Sequence, residues 1–377
     1  MPMRSWPKMA KVKLSTQAAF QDFMVPMVTI RSLDVDRVVQ IFETVNSTGT
    51  RLGTVDFMRA ITWDRSFDLN QYLDKARAPL AAAGFEMSEE TIIKCVGLLL
   101  DVPPTPGGLM SLRTRTPQDL QKAFAAFPDS ITLVTNFLRD RFKIESMAFV
   151  PYEGQILVLF RSVGMGEAEQ SEHDDLERWF WATGFNESLR GKPDHYVVRA
   201  VENWRALVSG QIRGLEPRLR LSTDDFFDRR LIKGKALSAS FAAMFATNGA
   251  RSLSTGALIP TSTYMSNPDI RSFVTVYNGS ELKRVGIEVG PSPRIFPNLV
   301  AINSSDEELN FEGRRKNRIV SLLDNGAVEV LASQFIDEEA AISLKAGQIV
   351  EFLRRRAVLL QKAAYNRVGA AKPASII

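Results

Sequence analysis

The chain has 377 residues, of which 45% are hydrophobic and 24% charged, with a formal net charge of +4. That balance excludes a disordered or fibrous protein, and the length suffices to bury a sizeable core. The single cysteine, Cys95, excludes an internal disulfide framework and fits a reducing, cytoplasmic location.

Residues 1–33 read as irregular or partly extended, with Pro26 inside the apolar segment Val25 to Ile30. The basic start (Arg4, Lys8, Lys11, Lys13) is not followed by an apolar stretch, so no signal peptide is expected. No apolar run reaches the ~18 residues of a membrane span, so none is expected. Asp34 reads as a helix N-cap. Val35, Val38, Val39, Phe42 and Val45 then repeat at helical spacing, up to the turn formers Asn46 to Thr50.

Further helices are expected from Thr54 or Asp56 to about Trp63, then over Leu69 to Ala83 and Ser88 to Leu100. Asp101 to Ser111 holds three prolines and two glycines and reads as a loop. Pro117 to Phe142 reads as a long helix with a break at Pro128. Helices over Tyr152 to Val163, Asp174 to Thr183 and Tyr196 to Val208 complete a helical array. Beyond 212 the composition shifts. Leu237 to Phe245 is helical, Val285 to Val289 is β-prone, and 290–316 is loop-rich. Glu338 to Leu344 and Gln348 to Arg367 are helical again. The expected fold is mostly α: a helical array over 34–212, with a smaller, loop-rich α+β domain over 222–377.

The segment Ile41 to Leu52 contains Phe42, Asn46 and Gly49 in a Phe–three residues–Asn–small–Gly pattern ending in Leu. It resembles a signature of the GmrSD-type restriction endonuclease family. Asp56 to Ala60 and the aromatic helix Leu176 to Trp181 are similar to that family's next elements. Weaker echoes are Thr255-Gly256, Ile295-Phe296-Pro297 and Phe352 to Arg356. The resemblance implies a modification-dependent or defence-associated DNase. Its first domain would be ParB/sulfiredoxin-like, with an Asp-Gly-Gln-Gln-Arg motif linked to nucleotide hydrolysis. Its last domain would be an HNH-type metal nuclease.

Two departures alter that expectation. Asp-Gly-Gln-Gln-Arg is absent, and only 41 residues precede Phe42, too few for the domain that carries the motif. Residues 1–33 then read as a remnant of that domain, either in a truncated product or in one complemented by a partner chain. The family also places two histidines directly before Ile-Phe-Pro, where this chain has Pro293 and Arg294. Neither serves as general base or metal ligand. The resemblance with these losses implies a degenerate family member that retains its scaffold and binds DNA without cleaving it. The alternative is an interaction module for a partner carrying the missing half.

Other candidates admit two readings each. Phe42 and Asn46 fit a family-type ligand pocket, or a buried Phe with Asn as the helix stop. His173 lies among Glu172, Asp174 and Asp175, which suggests a metal site or, more simply, an acidic first turn. His195 follows Pro193-Asp194 at a helix start, which favours capping. Asp306, Glu307 and Glu308, with Asn303 and Asn310, offer oxygen ligands for Mg²⁺ or form a polar loop; without them no cofactor is expected. Trp179, Phe180 and Trp181 offer base-stacking faces, but at helical spacing at least one belongs to the core. Arg314, Arg315, Lys316, Arg318, Arg354, Arg355 and Arg356 are the candidate phosphate contacts, or solvated faces. Cys95 sits between apolar residues and reads as an inert core thiol.

Overall fold

The computed structural model describes residues 54–62, 65–169, 172–209, 211, 218–266, 271–288, 290, 292–303 and 305–369. The helix expected over 35–45 lies outside them. The described residues, within 54–369, cluster as one compact, mostly helical unit. Among the described residues no helix is long and apolar enough to cross a membrane.

The first helices follow their sequence signals. α1 is Thr54–Ile61 and α2 is Leu69–Ala82, whose N-cap Asp68 accepts from the Asn70 amide. α3 is Glu89–Leu99, capped by Ser88, and buries Ile92, Ile93, Cys95 and Val96. α4 is Pro117–Phe142, opened by a Thr116/Asp119 capping box that satisfies two otherwise orphaned amides. The break expected at Pro128 does not occur. Phe124, Phe127, Ile131 and Val134 bury one face of α4 across the proline, and that packing outweighs its ~3 kcal/mol propensity cost.

α5 (Glu153–Leu159) runs on into a π turn at Phe160–Gly164 that packs on α4. α6 is His173–Phe185 and α7 is His195–Val208. α8 (Thr223–Asp228) and α9 (Ala236–Thr247) follow. α9 is buried along nearly all its length and packs on α6. Gly184 permits that approach: a Cβ there would meet Ser240 Oγ at 2.3 Å and Pro151 Cγ at 3.0 Å.

The sheet is small. β1 (Phe273–Thr275) pairs antiparallel with β2 (Leu299–Ala301), with Val274 opposite Val300. Between them α10 (Gly279–Arg284) precedes residues 285–288, which form no strand although they are β-prone. Gly286, at φ +78°, turns the chain there. α11 (Glu312–Asp324), α12 (Val328–Ser333), α13 (Glu338–Lys345) and α14 (Ile349–Val368) complete the fold. The first part of α11 falls where a loop was expected. Arg315 occupies an inward position there and obscures the apolar repeat that Ile319 and Leu322 continue.

Two hydrophobic clusters make the core. The larger runs from Met58 to Val368, and the smaller gathers Leu253, Val276, Ile295, Val300 and Ile319. α14 belongs to both. Phe352 and Leu353 enter the smaller cluster, whereas Ala357, Leu360, Ala364 and Val368 enter the larger. The boundary expected at 212–222 thus precedes a segment whose last helix packs on α6, on the other side of that boundary.

Arg356 sits between those two halves of α14 and is 0% exposed. Its Nε donates to the Phe335 carbonyl at 3.2 Å and Nη1 to Pro297 at 2.6 Å. Nη2 donates to Leu299 at 2.7 Å and to Gln334 at 2.8 Å. Burial pulls the guanidinium down to about 9, still above neutral pH, so it stays charged. Replacing Arg356 with Ala strands four carbonyls and should cost about 3–5 kcal/mol of stability, as for other broken buried charge sites. Urea denaturation checks this; a loss under about 1 kcal/mol, the mean worth of one hydrogen bond, would show the clasp to be dispensable.

Cys95 is 0% exposed, and burial, with the Glu153 charge, pushes its thiol well above the usual range. An aromatic disulfide reagent should label it only as fast as the protein unfolds, as followed by absorbance with and without urea.

Candidate nucleic-acid interface

Phe42, Asn46 and Gly49 lie outside the described residues. The basic candidates separate by burial. Arg315 is 6% exposed, and its guanidinium donates to the carbonyls of Leu309, Asn310 and Thr275. Arg315 and Arg356 are therefore structural clasps and not available to a phosphate. Lys316 pairs with Glu281, and Arg318 donates to the carbonyls of Leu253 and Ser254. Arg355 bridges Asp337 at 2.7 Å and Glu339 at 2.8 Å. Arg314 is exposed, its guanidinium 5.8 Å from the Phe311 ring. Arg354 is exposed and lines a pocket of about 390 Å³ with Thr223, Asp224, Phe227, Ile287, Val350 and Val358. The seven cations do not form one face.

The histidines and acids are also engaged. Arg141 spans Asp174 at 3.1 Å and Glu177 at 3.2 Å, while His173 packs edge-on against Phe137. Burial and the Arg141 charge hold His173 below its usual range. Asp194 sends its carboxylate to Lys94 at 3.1 Å, and exposed His195 lies against Tyr196. Asp306 is 4% exposed; it accepts from Ser252 Oγ and from the Asn303 amide, each at 3.0 Å. Its carboxylate staples the 252–255 turn, whose amides at Ser254 and Thr255 donate to Ser252 Oγ.

At the positions where the resemblance implies histidines, the backbone is occupied. The Pro293 carbonyl accepts from Asn298 Nδ2 at 2.9 Å, and the Arg294 carbonyl from the Leu231 amide at 3.0 Å. Asn298, 0% exposed, also exchanges hydrogen bonds with both backbone groups of Tyr277. Its amide therefore locks the turn into β2.

The aromatic triplet on α6 has two members in the core, where helical spacing alone called for at least one. Phe180 and Trp181 are buried, their rings 4.1 Å and 5.3 Å from Phe142. Trp179 is half-buried and lines a groove of about 670 Å³ between α6, α7 and residues 218–220. Tyr196, 37% exposed, stands on the α7 side, with Lys192 Nζ 4.9 Å from its ring centre.

The third wall was not legible as a site. Residues 218–222 alternate exposed and buried: Leu219 and Leu221 turn inward, and Arg218 and Arg220 outward. Asn186 just beyond α6 pins this segment. Its Nδ2 donates to the Arg218 carbonyl, and its Oδ1 accepts from the Arg220 amide, both at 2.7 Å. From the other side α14 holds it: Gln361 donates to the Leu221 carbonyl at 2.9 Å and Tyr365 to Leu219 at 3.2 Å. The Arg-Leu-Arg-Leu alternation was the available signal, since a period of two marks a half-buried extended segment.

The groove's electrostatics favour an anion. Arg218 and Arg220 have no acidic partner among the described residues, and Lys192 is exposed. The one carboxylate among the described lining residues, Glu187, is already paired with Arg229 at 2.7 Å and Arg190 at 3.3 Å. Replacing Asn186 with Ala should release the 218–222 segment and cost about 1–2 kcal/mol for two lost hydrogen bonds. Limited trypsin digestion checks this: cleavage after Arg218 and Arg220 should rise several-fold, and an unchanged pattern would show that the amide does not hold the wall. In comparisons with known proteins, no family model matches this chain and no curated protein matches it.

Proposed function

We propose that this protein binds nucleic acid without cleaving it, as a catalytically silent protein of the GmrSD restriction type. The observation that carries the binding half is the groove: two aromatic rings, Trp179 and Tyr196, beside three cations, Lys192, Arg218 and Arg220, with the Glu187 carboxylate neutralised. Cations beside aromatic faces suit a polyanion that carries planar bases. The silent half rests on Pro293 and Arg294. Neither side chain supplies a general base, and both carbonyls are spent on holding the chain.

Three phosphate contacts imply a log–log salt slope of about −2.1 to −2.7, so affinity should fall roughly 20- to 40-fold between about 50 and 200 mM salt. Fluorescence anisotropy with labelled oligonucleotides measures this. The double variant Arg218→Ala/Arg220→Ala should flatten the slope by about 1.5–2. Supercoiled plasmid incubated with Mg²⁺ or Mn²⁺ should remain uncut. Binding indifferent to salt, or metal-dependent nicking, would overturn the respective half.

A further inference from the structure

We infer that the groove takes an unpaired strand, with a base stacked on Trp179 and Tyr196 and adjoining phosphates on Lys192, Arg218 and Arg220. This rests on the nucleic-acid reading above and narrows it to a substrate class.

Three features of the groove lead there. The first is size: about 670 Å³ lies within the ~300–1,000 Å³ that accommodates small organic ligands, room for a base with its sugar-phosphate. The second is the placing of aromatic surface. Trp179 lies half-buried in the wall, with its neighbours Phe180 and Trp181 locked in the core beneath it. A duplex keeps its base faces stacked inside and presents only backbone and groove edges. Only an unpaired nucleotide offers a π face to such a ring.

The third is the spacing of the cations. Arg218 and Arg220 are two residues apart on an extended segment, so their Cα atoms stand about 6.6–6.8 Å apart. That is close to the step between adjacent phosphates of an extended single strand. Asn186 on one side, and Gln361 and Tyr365 on the other, hold the backbone of that segment. The two arginine side chains therefore hang from a fixed backbone, and binding does not have to order it. Lys192 completes the cationic rim from the α7 side.

The test compares three anisotropy probes and one competitor on the full chain. They are a labelled oligothymidylate of about 12 nucleotides, within the usual range of single-strand sites, its abasic counterpart, a blunt duplex of the same length, and polyglutamate as competitor. The thymidylate should bind at least several-fold more tightly than the duplex. Trp179→Ala and the abasic probe should each lose roughly 5- to 150-fold, the range for one stacked base. Trp179→Phe keeps an aromatic face and should retain most of the affinity. Tyr196→Ala, at an exposed position, should lose several-fold with folding intact.

Equal or tighter duplex binding overturns the unpaired-strand inference and leaves nucleic-acid binding standing. Full affinity for the abasic probe, or in Tyr196→Ala and Trp179→Ala together, does the same. Salt-insensitive or absent binding to every oligonucleotide overturns the broader reading as well. Displacement of the oligonucleotide by polyglutamate at equal charge overturns both in favour of an acidic peptide.

Discussion

The Arg356 guanidinium is the interaction on which the later part of this chain depends. A two-stranded sheet of three residues per strand is marginal by itself. Here the carbonyls of Pro297 and Leu299 at the start of β2, and of Phe335 and Gln334 beyond α12, converge on one buried cation. Gln334 adds to the clasp. Its side-chain amide accepts from the Ala301 amide and donates to the Ala301 carbonyl, extending the ladder beside β2. Arg is suited to this role because its planar fork presents five donors and its charge survives burial at neutral pH. The same helix then passes from the smaller cluster into the larger one, so the sheet and the helical array share a single spine.

That spine also builds the groove. α14 holds the inner edge of residues 218–222 through Gln361 and Tyr365, and Asn186 holds the outer edge. The segment is extended because its leucines alternate into the core while its arginines have nowhere to go but outward. α6 works by the same logic at a different period. Its 100° step per residue sends Phe180 and Trp181 into the core and leaves Trp179 at the surface. Aromatic and cationic groups from separate parts of the sequence thus meet on a rigid backing, which is what a binding surface needs if little is to be reorganised on contact.

Much of the helical framework was legible. α2, α3, α6, α7 and α14 begin and end within one or two residues of their sequence signals, because caps and apolar periodicity act locally. α11 was partly concealed for a physical reason: its inward position at Arg315 is charged, and only the surrounding carbonyls make that burial tolerable. Arg356 was misplaced for the same reason. A run of three arginines reads as a solvated or phosphate-facing cluster, and a sequence does not show which of them meets a cage of carbonyls. Pro128 erred in the opposite direction, since a local rule gave way to packing along both sides of the residue.

From the sequence alone come the mostly helical class, the buried Cys95, the placing of at least one of the aromatic triplet in the core and the Pro293-Arg294 pair before Ile295. All of these depend on neighbours along the chain or on residue chemistry. The tertiary structure alone decided which cations remain at the surface and which groups share a groove. Lys192, Tyr196, Arg218 and Arg220 are unremarkable in their own stretches of sequence. They form a site only because Asn186 and α14 bring an extended segment against α6 and α7, and a contact of that kind is set by packing between distant elements, which no local pattern encodes.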